Sequence, residues 1–271
     1  MLPVSPRKSP AGLDALRQRI ALLERRTAIP EPAGSRTMAE AWRLGSGVLD
    51  RALPESGLAL GGLHEAASAA SGDGPAAACF LAALLARLRR RDGRRAVLVC
   101  QSRTSPFGRL YGPGWRDLGL GPADLLLLSA RRDRDTAWAM EEGLRSASLA
   151  AVLGEVESLD FTLSRRLALA ARESLTPALL LRRDGLGPAS AAFSRWRVAA
   201  LAGRADPFDE AAPGPPRWRL DLLRCRGGRP AICDVEWNRE TADFGVAAAL
   251  ADRPAAPRAA ARRPALARAA G

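Results

Sequence analysis

Short apolar runs alternate with amphipathic stretches between about residues 41 and 238. Each run is almost continuously apolar, which is typical of strands that are buried on both faces of a parallel sheet. The runs that predict strands are residues 60–67, 96–100, 125–129, 150–156 and 177–181. The stretches that predict the helices between them are residues 76–91, 134–147 and 159–174. This alternation predicts an α/β fold with a mostly parallel central sheet and helices on both of its faces.

The pattern changes after Arg182. Extended segments around Trp196 and at residues 217–225 and 232–237 are separated by turns that are rich in Pro and Gly. Because such turns join neighbouring strands directly, we expect these segments to be antiparallel strands that continue the same sheet at its C-terminal end.

An apolar stripe at helical spacing precedes the core, formed by Leu13, Leu16, Ile20 and Leu23. Residues 29–34 contain two prolines and a glycine, and they predict a linker. A helix outside the core that carries an apolar stripe needs a surface that covers it. That surface is either the core of the same chain or a neighbouring protein, and the sequence leaves both open.

The C-terminal residues 251–271 predict a disordered basic tail. No acidic residue follows Asp252, so the arginines of the tail have no counter-charges within it and are candidates for contacts to DNA phosphates: Arg253, Arg258, Arg262, Arg263 and Arg268. The predicted organisation is therefore an N-terminal helix and linker at residues 1–34, a core domain at 35–245 and a tail at 246–271.

Length and charge add two constraints. The 271 residues suffice for one α/β core with tails. The formal net charge of +12 favours attraction to a polyanion such as DNA. Lys8 is, however, the only lysine among 41 basic residues, and a bias toward Arg and Ala is also typical of a biased nucleotide composition. The charge alone leaves both explanations open.

The sequence argues against a membrane protein and a secreted protein. Its longest apolar stretch, residues 76–88, is shorter than the ~20 residues that a membrane-spanning helix needs. Arg7 and Lys8 are not followed by an apolar segment of the kind found in secretory signals. We therefore expect a cytoplasmic protein without membrane contact.

Cysteine and histidine usage argue against disulfides and common metal centres. None of the four cysteines has Cys-x-x-Cys spacing, which favours buried reduced thiols: Cys79, Cys100, Cys225 and Cys233. His64 is the only histidine, so a metal centre built on histidines or a Ser-His-Asp triad is not expected. Its apolar neighbours predict a buried, hydrogen-bonded side chain.

One segment carries a specific pattern. A Gly-x-x-x-Leu-Asp turn begins at Gly45, a Gly-Leu pair follows at Gly57, and the next apolar strand contains Glu65. In this order and spacing, the segment resembles the approach to the phosphate-binding loop of RecA-type recombinases. The Tyr111 segment, a Gly-Leu-Gly turn at residues 119–121 and the following strand extend the resemblance over roughly residues 41–238. It implies a RecA-like fold.

Three short sequence segments indicate a more specific family. Residues 138–146, 217–220 and 223–230 are similar to the ImuA family, whose members are RecA-like proteins encoded with a damage-inducible mutagenesis cassette. This similarity implies a role in SOS-induced translesion synthesis. The partners that it implies are an ImuB-type adaptor, a homologue of an error-prone replicative polymerase and a RecA filament, on which the N-terminal helix would dock.

The resemblance breaks at the phosphate loop itself. A working loop reads Gly-x-x-x-x-Gly-Lys-Ser/Thr, in which backbone amides and the lysine hold the phosphates and the hydroxyl holds magnesium. This chain has Pro75 or Ala76 at the lysine position, and the loop positions are Ser68, Ser71, Gly72, Asp73, Gly74 and Pro75. Proline removes an amide donor, and Asp73 brings a negative charge toward the phosphates. The stretch is either a tight turn from strand to helix or a vestigial pocket that binds nucleotide without turnover.

Residues at two further positions also indicate that the chain does not hydrolyse ATP. Gln101 lies where recombinases carry a catalytic glutamate, and no carboxylate is adjacent to it. Glu155 lies at the Walker-B-like position, where it is either a magnesium ligand through water or an acidic residue at a strand end without any ligand. Because phosphoryl transfer depends on the lysine, the metal and the water-orienting group, we expect no enzyme activity, no cofactor and no resident metal.

The sequence therefore favours a non-enzymatic RecA-like accessory protein that acts through protein contacts and DNA contacts. The alternatives are an ATP-dependent, DNA-binding ATPase and a cell-division inhibitor with a degenerate RecA-like core. Trp196 and Trp218 lie beside arginines and are candidates for stacking on bases. Strand alternation favours a different role, in which each Trp is buried and its flanking arginines are solvated.

Overall fold

The structure, a computed structural model, describes residues 15, 18–19, 41–92, 95–146, 148–187, 189–204 and 214–247. Two short strands form a separate sheet, in which β1 (Ala41–Trp42) pairs antiparallel with β2 (Leu58–Ala59). A short helix, α1 (Gly47–Ala52), lies between these two strands and buries Leu49.

Nine strands form the central sheet: β3 (Leu63–Ser68), β4 (Val97–Ser102), β5 (Leu125–Ala130), β6 (Ala151–Val156), β7 (Ala178–Arg182), β8 (Ser194–Ala200), β9 (Arg217–Cys225), β10 (Ala231–Asn238) and β11 (Asp243–Val246). Their spatial order is β11-β10-β9-β8-β3-β7-β6-β4-β5. The six strands from β8 to β5 in this order pair in parallel, whereas β9, β10 and β11 add antiparallel strands.

Helices cover both faces of the parallel part of the sheet. They are α2 (Gly74–Asp92), α3 (Gly112–Leu118), α4 (Asp133–Arg145) and α5 (Phe161–Ser174). Alternate residues of β4 belong to different cores: Val99 lies in the cluster with α2, while Leu98 lies in the cluster with α4 and α5. This division follows from the two-residue period of a strand, and it explains why the central strands carry apolar side chains on both of their faces.

The predicted fold class is confirmed, including the antiparallel strands at the C-terminal end. The ends of the five predicted strands and three predicted helices of the parallel region lie within three residues of their counterparts in the structure. No helix among the described residues is long and apolar enough to cross a membrane. At the C-terminal end, β11 extends to Val246, and the Ala247 amide donates a hydrogen bond to the Asp234 carbonyl at 2.9 Å.

Candidate functional site

The loop between β3 and α2 is the segment in which the sequence predicts a degenerate phosphate loop, and the side chain of Asp73 forms hydrogen bonds within it. Asp73 Oδ2 accepts the amide of Ala70 at 3.1 Å, and Asp73 Oδ1 accepts the amide of Ala200 in β8 at 3.0 Å. The Ala69 amide donates to the Val198 carbonyl at 2.8 Å. The amides of Ala69 and Ala70 are therefore paired within the chain, and the Asp73 carboxylate accepts the Ala70 amide of the loop and the Ala200 amide of β8.

The start of α2 is also covered. A Cβ atom on Gly74 would lie only 2.1 Å from ring atoms of Phe107, so the phenyl ring packs directly on the glycine backbone. Pro75 follows in the first turn and has no amide hydrogen to offer. The other predicted loop residues lie around this turn: Ser68 ends β3, and Ser71 and Gly72 are exposed. The loop thus has the course of a tight turn from strand to helix, with an aromatic ring over the helix start.

Gln101, which the resemblance to recombinases aligns with a catalytic glutamate, holds the loop that follows β4. Its Nε2 donates to the Gly108 carbonyl at 2.6 Å, and its Oε1 accepts the Leu110 amide at 3.2 Å. Both ends of the side-chain amide are therefore used within the chain. The residue positions the backbone of residues 101–110.

Glu155 is buried near the end of β6, with 7% of its surface exposed. Its Oε2 accepts the Ser102 amide at 3.3 Å, and its Oε1 lies 3.6 Å from Arg183 Nε. Burial raises the pKa of this carboxyl, while hydrogen bonds from Ser105 and Ser102 and the charge of Arg183 oppose the rise. The described residues contain no group of three or more His, Cys, Asp or Glu side chains that could hold a metal ion.

His64 lies within β3 and is fully buried. Its Nε2 lies 2.8 Å from the Ala59 carbonyl, which can only accept, so Nε2 carries the proton. Its Nδ1 then accepts from the Ser194 hydroxyl at 2.8 Å, and that hydroxyl in turn accepts the Trp196 indole N–H at 2.8 Å. Burial lowers the pKa of His64 to about 4. The side chain is a buried, hydrogen-bonded histidine, as its apolar neighbours predict.

The two tryptophans that were candidates for base stacking are core residues. Trp196 is 0% exposed and Trp218 is 2% exposed. Both pack on Phe80 of α2, with ring centroids 5.7 and 6.3 Å away. Neither ring is available to a nucleic acid, so the interpretation of both residues as buried aromatic side chains is confirmed.

The flanking arginines correct the second part of that expectation, because two of them are not solvated. Arg217 is 7% exposed, and its Nε lies 3.3 Å from Glu236 Oε2. Arg195 places its Nε 3.2 Å from Oε2 of the buried Glu65. Arg217 is the first residue of β9, and its Nη1 donates a hydrogen bond to the Ala202 carbonyl at 3.1 Å. Arginines at 197 and 219 are exposed but have acidic partners, Asp221 and Asp234.

Two other predicted sites lie outside the described residues. These are the apolar stripe of Leu13, Leu16, Ile20 and Leu23, and the basic tail with Arg253, Arg258, Arg262, Arg263 and Arg268. Both remain predictions. The four cysteines are free thiols, and three of them are buried.

Comparison with known proteins gives one consistent result. The chain is 37% identical over 210 residues to the proteins named Protein ImuA in two strains of Caulobacter vibrioides, which covers 73% of this chain and 84% of each relative. No family model matches the chain.

Proposed function

The chain belongs to the ImuA family, and from this premise we propose that it is a non-enzymatic accessory protein of SOS-induced translesion synthesis and DNA-damage mutagenesis. It acts by bringing partners together, through protein surfaces and through DNA. It does so without turnover of ATP.

The observation that carries the proposal is the closed loop at residues 69–73. In a working phosphate loop, the amides and a lysine supply the positive charge that nucleotide phosphates need. Here the Asp73 carboxylate already accepts the amides of Ala70 and Ala200. A nucleotide phosphate at this position would have to displace the Asp73 carboxylate, which is already held in place as part of the chain. No lysine is present in the loop to bind the phosphate. The loop therefore disfavours binding of the nucleotide phosphates, on which hydrolysis depends.

The neighbouring positions support the same proposal. Gln101 is held by the backbone of its own loop, and Glu155 is held by Arg183 and the Ser102 amide. Either residue would have to leave these partners before it could orient water or hold magnesium. Hydrolysis would thus require several contacts within the chain to break at once.

The partners that follow from the family are an ImuB-type adaptor, an error-prone polymerase complex and a RecA filament. The net charge of +12 supports contact with DNA in addition. A protein that binds all of these would place the polymerase at damaged DNA without chemistry of its own. No membrane contact and a cytoplasmic site of action belong to the same proposal.

Two measurements test the proposed function. The purified full chain should release no phosphate from ATP above background, with or without single-stranded DNA, while a RecA-type recombinase in the same assay does. It should also bind ATP more weakly than about 10 μM in calorimetry, which corresponds to roughly 7 kcal/mol.

In the organism that encodes the protein, deletion of its gene should lower damage-induced mutation frequency, and the wild-type gene should restore it. A pull-down from damaged cells should recover the polymerase partners. DNA-stimulated phosphate release would support the ATPase alternative instead. Filamentation on overexpression, with unchanged mutation frequency after deletion, would support a division inhibitor.

A further inference from the structure

The loop between β4 and α3, residues 103–111, presents two cations on the surface of the protein. Arg103 and Arg109 are both exposed, and neither forms an ion pair with any described residue. Most arginines of the sheet region differ in this respect, since those at 195, 197, 217 and 219 all have acidic partners. The two loop arginines therefore leave their charge available to an external anion.

The same loop ends at Tyr111, the only tyrosine of the chain, which is 70% exposed. Its ring rests on the backbone of α3, because a Cβ atom on Gly114 would lie 3.1 Å from Tyr111 Cδ1. One side of the ring is thus supported by a residue without a side chain, while most of the ring faces solvent. This is the arrangement of a stacking platform.

Two adjoining depressions share this loop and differ in chemistry. One, of about 370 Å³, is lined chiefly by apolar and aromatic side chains, including Leu81, Val99, Tyr111 and Trp115. The other, of about 350 Å³, is lined by Arg103, Arg109 and the hydroxyl residues Ser102, Ser105 and Ser129. Residues 105 and 108–110 border both depressions. An apolar surface for a base thus lies directly beside a basic surface for a phosphate.

The loop is held in place before any ligand arrives. Besides the two hydrogen bonds of Gln101, the Arg103 amide donates to the Ala130 carbonyl at 2.7 Å. Arg183 Nη1 donates to the Thr104 carbonyl at 3.3 Å. Among the described residues that line the two depressions, Glu155 alone is acidic, and it is buried beside Arg183. A ligand would therefore lose little free energy in ordering this surface and would meet little negative charge.

From this geometry we propose that residues 103–111 form a binding site for single-stranded nucleic acid. Arg103 and Arg109 contact phosphates, and Tyr111 stacks on a base at the mouth of the apolar depression. The site rests on the proposed function, because it locates the DNA contact of that function in the core domain. In this site the arginines contact phosphates and the ring stacks on a base, and neither contact depends on which base is present, so the site should bind with little sequence preference.

The site is tested in the full chain with a labelled oligonucleotide of mixed sequence, by fluorescence anisotropy across a salt series. The double variant R103A/R109A should weaken binding about 10-fold or more at low salt. It should also make the dependence of log K on log salt shallower by about 1.4, because each lost phosphate contact on a single strand contributes about 0.7. Tyr111→Ala should weaken binding about 10-fold, while Tyr111→Phe, which keeps the ring, should remain within about 2-fold of wild type.

The matched control is R165A/R172A. Both of these arginines are exposed on α5, which packs on the opposite face of the sheet from α2, and removing them makes the same change in net charge. This control should bind like wild type. Equal weakening by the control pair, or wild-type binding by R103A/R109A and Tyr111→Ala, would overturn the site.

A second measurement locates the contact directly. Oligonucleotides that carry 5-iodouracil should crosslink under light to the tryptic peptide of residues 110–116, and Tyr111→Ala should remove the crosslink at residue 111. Crosslinks confined to other peptides would count against the site. So would binding of a polyglutamate peptide that R103A/R109A abolishes and Tyr111→Ala leaves unchanged, because that result indicates an acidic protein partner. Neither of these results would contradict the proposed accessory role, because that role is tested separately by mutation frequency and phosphate release.

Discussion

His64 should make this protein less stable as the pH falls. The protonated ring would need acceptors at both nitrogens. The Ala59 carbonyl serves Nε2, but the Ser194 hydroxyl beside Nδ1 already accepts the Trp196 N–H and would have to turn its own hydrogen away. Trp42 and Phe193 pack around the ring with centroids 6.3 and 5.8 Å away, so water does not replace the lost partner. Burial accordingly lowers the pKa of His64 from 6.5 to about 4.

The direction of the pH effect follows from these two values. Because the pKa in the folded state is below that in the unfolded state, the unfolded chain binds the proton first as the pH falls. The contribution of neutral His64 to the unfolding free energy is complete above pH 6.5, decreases from there toward pH 4 and is absent below pH 4. Between pH 7.5 and pH 5 the unfolding free energy should fall by about 2 kcal/mol. The full loss, reached below pH 4, should be roughly 3 kcal/mol.

The assay compares urea unfolding of wild type and His64→Gln at pH 7.5 and pH 5. Carboxylates titrate in both proteins, so the difference between their two pH dependences isolates the histidine. Since the chain has one histidine, its ring proton also reports the pKa of the folded state directly by NMR without assignment. A midpoint near 6.5 in that titration, or the same pH dependence in both proteins, would refute the argument.

Three further outcomes are expected. Asp73→Ala should lower the unfolding free energy by about 1–2 kcal/mol in urea, because two backbone amides lose their acceptor, and Asp73→Asn should lower it less; an unchanged midpoint for Asp73→Ala would contradict the closed loop. Deletion of residues 1–34 should weaken association with a RecA filament in a sedimentation assay while the melting temperature of the core stays the same; equal association would indicate that the helix packs on its own core. Deletion of residues 251–271 should make the salt dependence of DNA binding shallower by about 0.7–0.9 for each phosphate that the tail contacts, and an unchanged slope would show that it contacts none.

The sheet was predictable because its signal is local. A strand such as β7 is apolar over residues 178–181, and α2 is apolar over most of its length, so burial on both sides can be inferred from a few residues at a time. The short elements carried no such signal. The helices α1 and α3 have six and seven residues, too few for a period of 3.6 to repeat clearly, and β11 has four.

The contacts of the candidate site were less predictable, because they join distant parts of the chain. Sequence showed that Asp73 brings a negative charge to the loop, but its bond to Ala200 depends on the position of β8 beside β3. Alternation likewise placed Arg217 in solvent, although Glu236 and the Ala202 carbonyl enclose it. The loop of residues 103–111 has no periodic pattern, so only the structure brings its arginines and Tyr111 together.

The position of β3 in the sheet also affects how the protein folds during its synthesis on the ribosome. Its two neighbours in the sheet are β7 and β8, which end at Arg182 and Ala200, whereas β3 itself ends at Ser68. At about 5–20 residues per second, a ribosome needs on the order of ten seconds to synthesise the chain that separates them. During that interval β3 is outside the ribosome or close to its exit, with both of its edges unpaired. Chaperones that shield such strands should therefore bind this nascent chain early, and release it only once β8 has emerged.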